Sequence, residues 1–179
     1  MMMKPPEIIE TQRLKLRPPV MADAEAIFTE YAQDAEVATY MIWRPHKNIE
    51  ETRDFIRRCV FEWENGSAFS WVIQRKDGGR LMGMIESRIK GHMMDIGYVL
   101  AREHWGLGYM PEAARPIVDW ALAQSGIFRV WALCDVDNLP SARVMEKIGM
   151  RREGILRRWT IHPNISDEPR DAYCYSIVK

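Results

Sequence analysis

The chain has 179 residues, 47% of them hydrophobic and 28% charged, which is the composition of a soluble globular protein with a sizeable core. Lys plus Arg and Asp plus Glu each number 25, so the net charge is zero, which argues against a protein that lives on nucleic acid or an anionic membrane. No apolar run approaches the roughly 18 residues of a membrane span, and the Met1 to Pro6 start lacks the apolar core of a signal peptide. Cys59, Cys134 and Cys174 are odd in number, far apart and without metal-ligand spacing. Free thiols in a reducing, cytoplasmic compartment are expected, with no metal, and the length predicts one domain over residues 1–179.

Thr11 to Arg17 alternates, with Leu14 and Leu16 on one face, and predicts a half-buried strand ended by Pro18-Pro19. Asp23 is the expected N-cap of a helix carrying Ala24, Ile27, Phe28 and Tyr31 on one face. A short helix over Asp34 to Met41 and a loop over Ile42 to His46 follow; an aromatic in such a loop closes the core or lines a cleft. Asn48 and Glu51 have capping-box spacing, and Phe55, Ile56, Cys59, Val60 and Trp63 recur at helical intervals up to Asn65-Gly66. Phe69, Trp71 and Ile73 alternate as a strand, Asp77-Gly78-Gly79 turns the chain, and Leu81 to Ile89 returns. Lys90-Gly91-His92 turns again into Ile96 to Leu100. The first half therefore predicts an antiparallel meander.

Ile96 to Leu100 leads into Trp105-Gly106-Leu107-Gly108 and then a helix with Ala113, Ile117, Trp120 and Ala121 on one face. Strand, glycine-containing turn and helix make a phosphate cradle. Glycine lets backbone approach a ligand, and a helix start offers unpaired N–H groups and a positive dipole end. Any tight strand-to-helix turn can also need two glycines. Gln124 to Gly126 stops this helix, and Arg129 to Asp135 reads as a strand parallel to Ile96–Leu100 by the crossover rule. A helix over Ser141 to Ile148, stopped at Gly149, and strands near Arg152–Ile161 and Ala172–Val178 complete the chain, the last two joined by a polar loop, His162 to Arg170.

Asn138 to Met150, NLPSARVMEKIGM, resembles the N-x-x-S-x-x-(apolar)-x-E-K-(apolar)-G-(apolar) signature of the GNAT superfamily of acyl-CoA-dependent N-acyltransferases. It is most similar to the RimJ/RimL branch, which includes ribosomal-protein N-terminal acetyltransferases. T-x-R-L-x-L-R at Thr11–Arg17, I-G-Y at Ile96–Tyr98, W-G-x-G-Y with Glu112-Ala113 after it, G-x-x-x-E-G at Gly149–Gly154 and D-A-Y-x-Y-S near the end agree in order. The resemblance implies an α/β fold with a mixed, mostly antiparallel sheet, helices on both faces and a splayed parallel strand pair. Two positions depart from the pattern. Met110 stands where a small residue is usual, and Pro116 lies inside the helix, where a kink is expected. Pro111 is harmless in the first turn.

The resemblance further implies that acetyl-CoA lies where the parallel strands part at Tyr98, Val99 and Leu100, whose main chain would pair with the pantetheine amides. The pyrophosphate would rest on the turn formed by Trp105, Gly106, Leu107, Gly108, Tyr109 and Met110, and Asn138 would anchor the pantetheine arm. An acceptor amine attacks the thioester directly, so the protein manages two protons and needs no nucleophile of its own. Ser141 is the candidate donor to the departing thiolate, or else a helix cap. Glu86 or His92 is the candidate base, and Lys147 could meet the 3′-phosphate or simply be solvated. Tyr173 and Tyr175 read as aromatics at the core edge. The acceptor could be a protein N-terminus, a lysine, a polyamine, an aminoglycoside or an amino acid, with the first helices and the His162–Arg170 loop deciding. The protein is expected to act as a monomer or homodimer. A non-catalytic acyl-CoA-binding module is the rival reading; a nucleotide-binding domain is disfavoured because no Lys-Ser/Thr follows the glycines.

Overall fold

The alternating segments of the first half do form a meander. β1 (Ile9–Glu10), β2 (Leu14–Arg17), β3 (Phe69–Arg75), β4 (Leu81–Lys90) and β5 (Met93–Leu100) pair antiparallel in chain order. β6 (Arg129–Asp135) has the bounds that the sequence predicts and runs parallel to β5. β7 (Arg151–Thr160) and β8 (Arg170–Val178) close an eight-stranded sheet in the order β1-β2-β3-β4-β5-β6-β8-β7. The computed structural model describes residues 3–179; Met1 and Met2 of the amino-terminal segment lie outside them.

Helices cover both faces. α4 (Tyr109–Ala123) and α5 (Leu139–Lys147) pack on one side, where Trp71, Ile85, Met94, Ile117 and Met145 belong to one hydrophobic core. α1 (Ala24–Ile27), α2 (Ala35–Ala38) and α3 (Ile49–Asn65) belong to the other side, with Ile27, Val37, Ile56, Cys59, Val72 and Met84 between them and the sheet. Because both faces are covered, β3 is buried from Phe69 through Ile73, although its sequence alternates. α3 is capped as expected at its start, where Asn48 Oδ1 accepts from the Glu50 and Glu51 amides; Glu51 returns the bond to Lys47, one residue before the cap.

Two expected caps are corrected. Asp23 does not cap the following helix: its carboxylate takes both Arg17 nitrogens, at 2.7 and 2.8 Å, and the Val20 amide. The ion pair across the chain outcompetes the local cap because it satisfies a nearly buried carboxylate with three donors. α5 begins at Leu139, not Ser141, and Asn138 is its cap, accepting from the Ser141 amide at 3.3 Å. Pro140 fits the first turn, which lets the helix start earlier.

The two parallel strands share only the pairs Met93–Arg129, Met94–Val130 and Asp95–Trp131. From Ile96 and Ala132 onward they part, somewhat before the expected Tyr98. β4 stays paired with β5 through Leu100 and fixes its far edge. Gly83 makes that possible, since a Cβ there would collide with the Val99 carbonyl oxygen.

Candidate functional site

The parting of β5 and β6 leaves main-chain groups of Ile96–Leu100 without a partner on that side, a ready edge for an extended amide-bearing ligand. The Leu100 carbonyl also accepts from Trp105 Nε1 at 2.7 Å, which folds the strand end back against the glycine turn. Gly106 (φ 74°) and Gly108 (φ 77°) both lie in the left-handed region, and Gly108 is the N-cap of α4. Among the described residues no loop or side-chain acceptor receives the amides of Gly106, Leu107 or Gly108, and the first helical amides have no intrahelical partner. Unpaired amides at a left-handed turn and a helix start are a geometry that suits an anion.

What holds the cradle was not evident from the sequence. Glu112, in the first turn of α4, accepts from Thr11 Oγ1 at 2.6 Å, from the Arg13 amide at 2.8 Å and from Arg13 Nε at 2.7 Å. Burial would raise its pKa, but the bonds from Thr11 and Arg13 prevail and hold it below the usual carboxylate range. Arg13 also donates to the Leu107 carbonyl at 3.2 Å and lies over the Tyr109 ring at 4.2 Å. Thus the connection between β1 and β2 clamps the turn from outside. The signal was present as T-x-R in the strand and Glu112 after the glycines, but nothing local joins them.

Met110 is buried in the core beside Ala113 and Ile117, so its side chain turns away from the cradle. α4 runs on through Pro116 to Ala123. Met110 therefore sits on the packing side of the helix, and half-buried Pro116 lies beyond the first-turn amides.

Tyr98 and Ser141 come together. The Tyr98 hydroxyl donates to the Ser141 carbonyl at 3.1 Å and lies 2.9 Å from Ser141 Oγ, where either oxygen can donate. Burial pushes the Tyr98 phenol upward in pKa against the opposing effect of the Ser141 bond, so it stays protonated at neutral pH. Ser141 Oγ does not cap its helix, and Asn138 does so with its oxygen, leaving its amide nitrogen available beside the parted strands. Lys147 is exposed in the last turn of α5, and its carbonyl accepts from Arg115. Tyr175 is buried and bonds Glu146.

On the opposite face, Glu86 follows Met84 on β4 and accepts from Ser70 Oγ at 3.1 Å, with Arg88 at 3.3 Å. Val99 shares this face and contacts the second core. His92 is exposed in the turn just before β5, at the end remote from Leu100, and is not brought to the site. A pocket of about 360 Å³, counting its open mouth, reaches the sheet at Val99. Its wall includes Tyr31, Trp43, His46, Phe55 and Arg58. His46 Nδ1 lies 2.8 Å from Thr52 Oγ1; burial lowers the imidazole pKa, Arg58 adds to the lowering and Glu51 opposes it, so the ring is neutral at pH 7. The His162–Arg170 loop is tied down by Asn164, which donates to the Ala38 and Trp43 carbonyls, and by Arg170 on buried Asp135 at 2.6 Å.

No cysteine is poised as a nucleophile. All three are free and buried, and burial pushes Cys59 up to about 11 and Cys134 up to about 12. Among the described residues, one group of metal-ligand side chains converges: Glu30, Glu103 and His104, with ligand atoms within 4.8 Å of one another. Arg80 already bridges both of its carboxylates.

Residues 13–151 match the family model described as the acetyltransferase (GNAT) domain. The chain is 33% identical over 175 residues to the uncharacterized N-acetyltransferase YoaA of Bacillus subtilis, an alignment covering 96% of this chain and 97% of the relative. A GNAT-family acetyltransferase from Bacillus anthracis superposes with a TM-score of 0.83 at 31% identity, over 96% of this chain and 98% of that one. The RimL ribosomal-protein acetyltransferase, solved with coenzyme A, has a TM-score of 0.85 at 21% identity, over 96% and 98% of the two chains, a likeness of fold.

Proposed function

Because the chain belongs to the GNAT acetyltransferase family, we propose that it uses acetyl-CoA to acetylate a primary amine by direct attack on the thioester. The observation that carries this reading is the conjunction of the parted β5–β6 pair, the unpaired Gly106–Met110 amides and the Tyr98–Ser141 hydroxyl pair on one side of the sheet. The donor fits these residues: an extended amide-bearing arm suits the strand edge, and a pyrophosphate suits the cradle. Acetyl-CoA supplies a thioester activated toward amines. Tyr98, Val99 and Leu100 would hold its arm with Asn138, while Trp105 and Leu107 border the phosphates.

The amine attacks the carbonyl carbon, the C–N bond forms, the C–S bond breaks and the thiol leaves. Ser141 Oγ donates to the sulfur as charge grows there, and Tyr98 keeps that hydroxyl in position. Glu86 takes the ammonium proton, directly or through a water. Glu86→Gln should lower kcat/KM at pH 7 at least about tenfold, the lower end of what a general base contributes. If His46→Gln produces that loss and Glu86→Gln does not, the imidazole is the base. The buried free thiols fit a cytoplasmic location. No helix among the described residues is long and apolar enough to cross a membrane.

The buried side chain of Met110 leaves the Gly106–Met110 amides open to the donor, as the proposed reaction requires. Met110→Ala should leave acetyl-CoA affinity within about threefold, under about 0.7 kcal/mol, in a calorimetric titration. A sharp gain in affinity would mean that Met110 occupies the pyrophosphate position, and would favour the non-catalytic alternative. Direct turnover of acetyl-CoA with an amine panel tests the function as a whole.

A further inference from the structure

The pocket beneath Val99 carries information about the acceptor. Trp43, His46 and Phe55 form a continuous aromatic wall, with ring centroids 5.7 Å apart for Trp43 and His46 and 6.1 Å for His46 and Phe55. Such a wall favours a flat apolar group. No carboxylate lines the pocket, and with His46 neutral its one charged lining group is Arg58. Arg58 is exposed at the rim with its guanidinium 5.4 Å from the Phe55 ring centroid. Its neighbours on α3 are spoken for, Arg53 by Glu50 and Arg57 by Asp54, whereas among the described residues Arg58 has no ion-pair partner.

The charge sign disfavours one large class of acceptors. A polyamine or an aminoglycoside carries several cations and needs a site lined with carboxylates. This wall offers them no such partner. Tyr31 is also among the lining residues, and its buried hydroxyl has no hydrogen-bond partner.

We infer that the acceptor is an aromatic α-amino acid, its ring against Trp43 and Phe55, its carboxylate on Arg58 and its amine directed to the thioester beside Val99. The inference rests on the acetyl-transfer reading and narrows it to one substrate class. Arg58 holds a planar carboxylate through two parallel N–H donors, which orients the adjacent amine as well as binding it. The reaction then gives an N-acetyl amino acid and coenzyme A, with one amine proton released to the base.

The test is a steady-state comparison at saturating acetyl-CoA. The acceptors are phenylalanine, tryptophan, phenethylamine, tryptamine, glutamate, spermidine and a short peptide with a free N-terminus. Phenylalanine and tryptophan should exceed the two decarboxylated amines, glutamate and spermidine by at least tenfold in kcat/KM. In Arg58→Gln the ratio of phenylalanine to phenethylamine should collapse toward one. In Trp43→Ala the ratio of phenylalanine to glutamate should collapse instead. A preference for spermidine, for the peptide or for phenethylamine overturns the inference, as does a fall in Arg58→Gln that is equal for all acceptors. Calorimetry with acetyl-CoA alone separates the two levels. Donor binding with acetylation of some other amine sinks the amino-acid assignment and leaves the acetyltransferase reading intact, whereas absence of both sinks the two together.

Discussion

Ser141→Ala is expected to lower turnover by one to three orders of magnitude, about 1.4–4 kcal/mol in barrier, while acetyl-CoA affinity changes little. The reason lies in the Tyr98–Ser141 pair. With Tyr98 donating to the Ser141 carbonyl, the serine proton is directed at the phenol oxygen; a small rotation redirects it to a developing sulfur anion, and Tyr98 can then donate to Oγ. That donation strengthens as charge appears, so it acts on the transition state more than on the bound thioester. The alanine variant should fold, because the bond from Tyr98 to the main-chain carbonyl remains and the helix cap belongs to Asn138. Tyr98→Phe should give a smaller loss, since it removes the positioning contact and leaves the serine hydroxyl. Weakened binding with an unaltered single-turnover rate would instead make Ser141 a cofactor ligand.

Gly108→Val should weaken acetyl-CoA binding at least tenfold, or about 1.4 kcal/mol. Space is not the obstacle: a Cβ there meets only Arg13 Nη2, at 3.6 Å, an ordinary contact. The obstacle is φ of 77°, which a β-branched residue adopts only under strain of roughly 1–2 kcal/mol. The turn relieves that strain by rotating peptide units, and the rotation aims the Tyr109 and Met110 amides away from the phosphate. An unchanged calorimetric Kd in a folded Gly108→Val protein would remove the cradle from the binding site.

Local pattern revealed most of this architecture, and non-local pairing hid the rest. Arg129–Asp135 was legible to the residue because a β-rich run followed a helix and the crossover rule left one place for it. The glycine turn was legible because φ above zero selects for glycine. Asp23 was misread because its partner, Arg17, belonged to a strand face expected to meet solvent. The Tyr98 hydroxyl could not be assigned at all, since Ser141 lies 43 residues away. His46 and Arg58 escaped for another reason. Helical spacing offers Arg58 the acids Asp54 and Glu62, yet Arg57 takes Asp54 and Arg58 turns toward Phe55. Side-chain choice between equally spaced partners is settled by the tertiary surroundings.

The Glu112 clamp has a consequence for how the protein comes to be active. Its donors, Thr11 and Arg13, are separated from it by 101 and 99 residues, so the clamp joins the connection between β1 and β2 to a helix in the second half of the chain. Contacts of such high order form late, after the intervening loops have been closed at an entropic cost. The cradle is therefore a product of the whole assembly and not of its own strand–turn–helix unit. A nascent chain that has made residues 95–124 cannot hold the donor in place by this means until the β1–β2 connection has docked on Glu112. Conversely, ligand that engages the assembled turn pulls on the last step of folding, and the melting temperature should climb with its concentration.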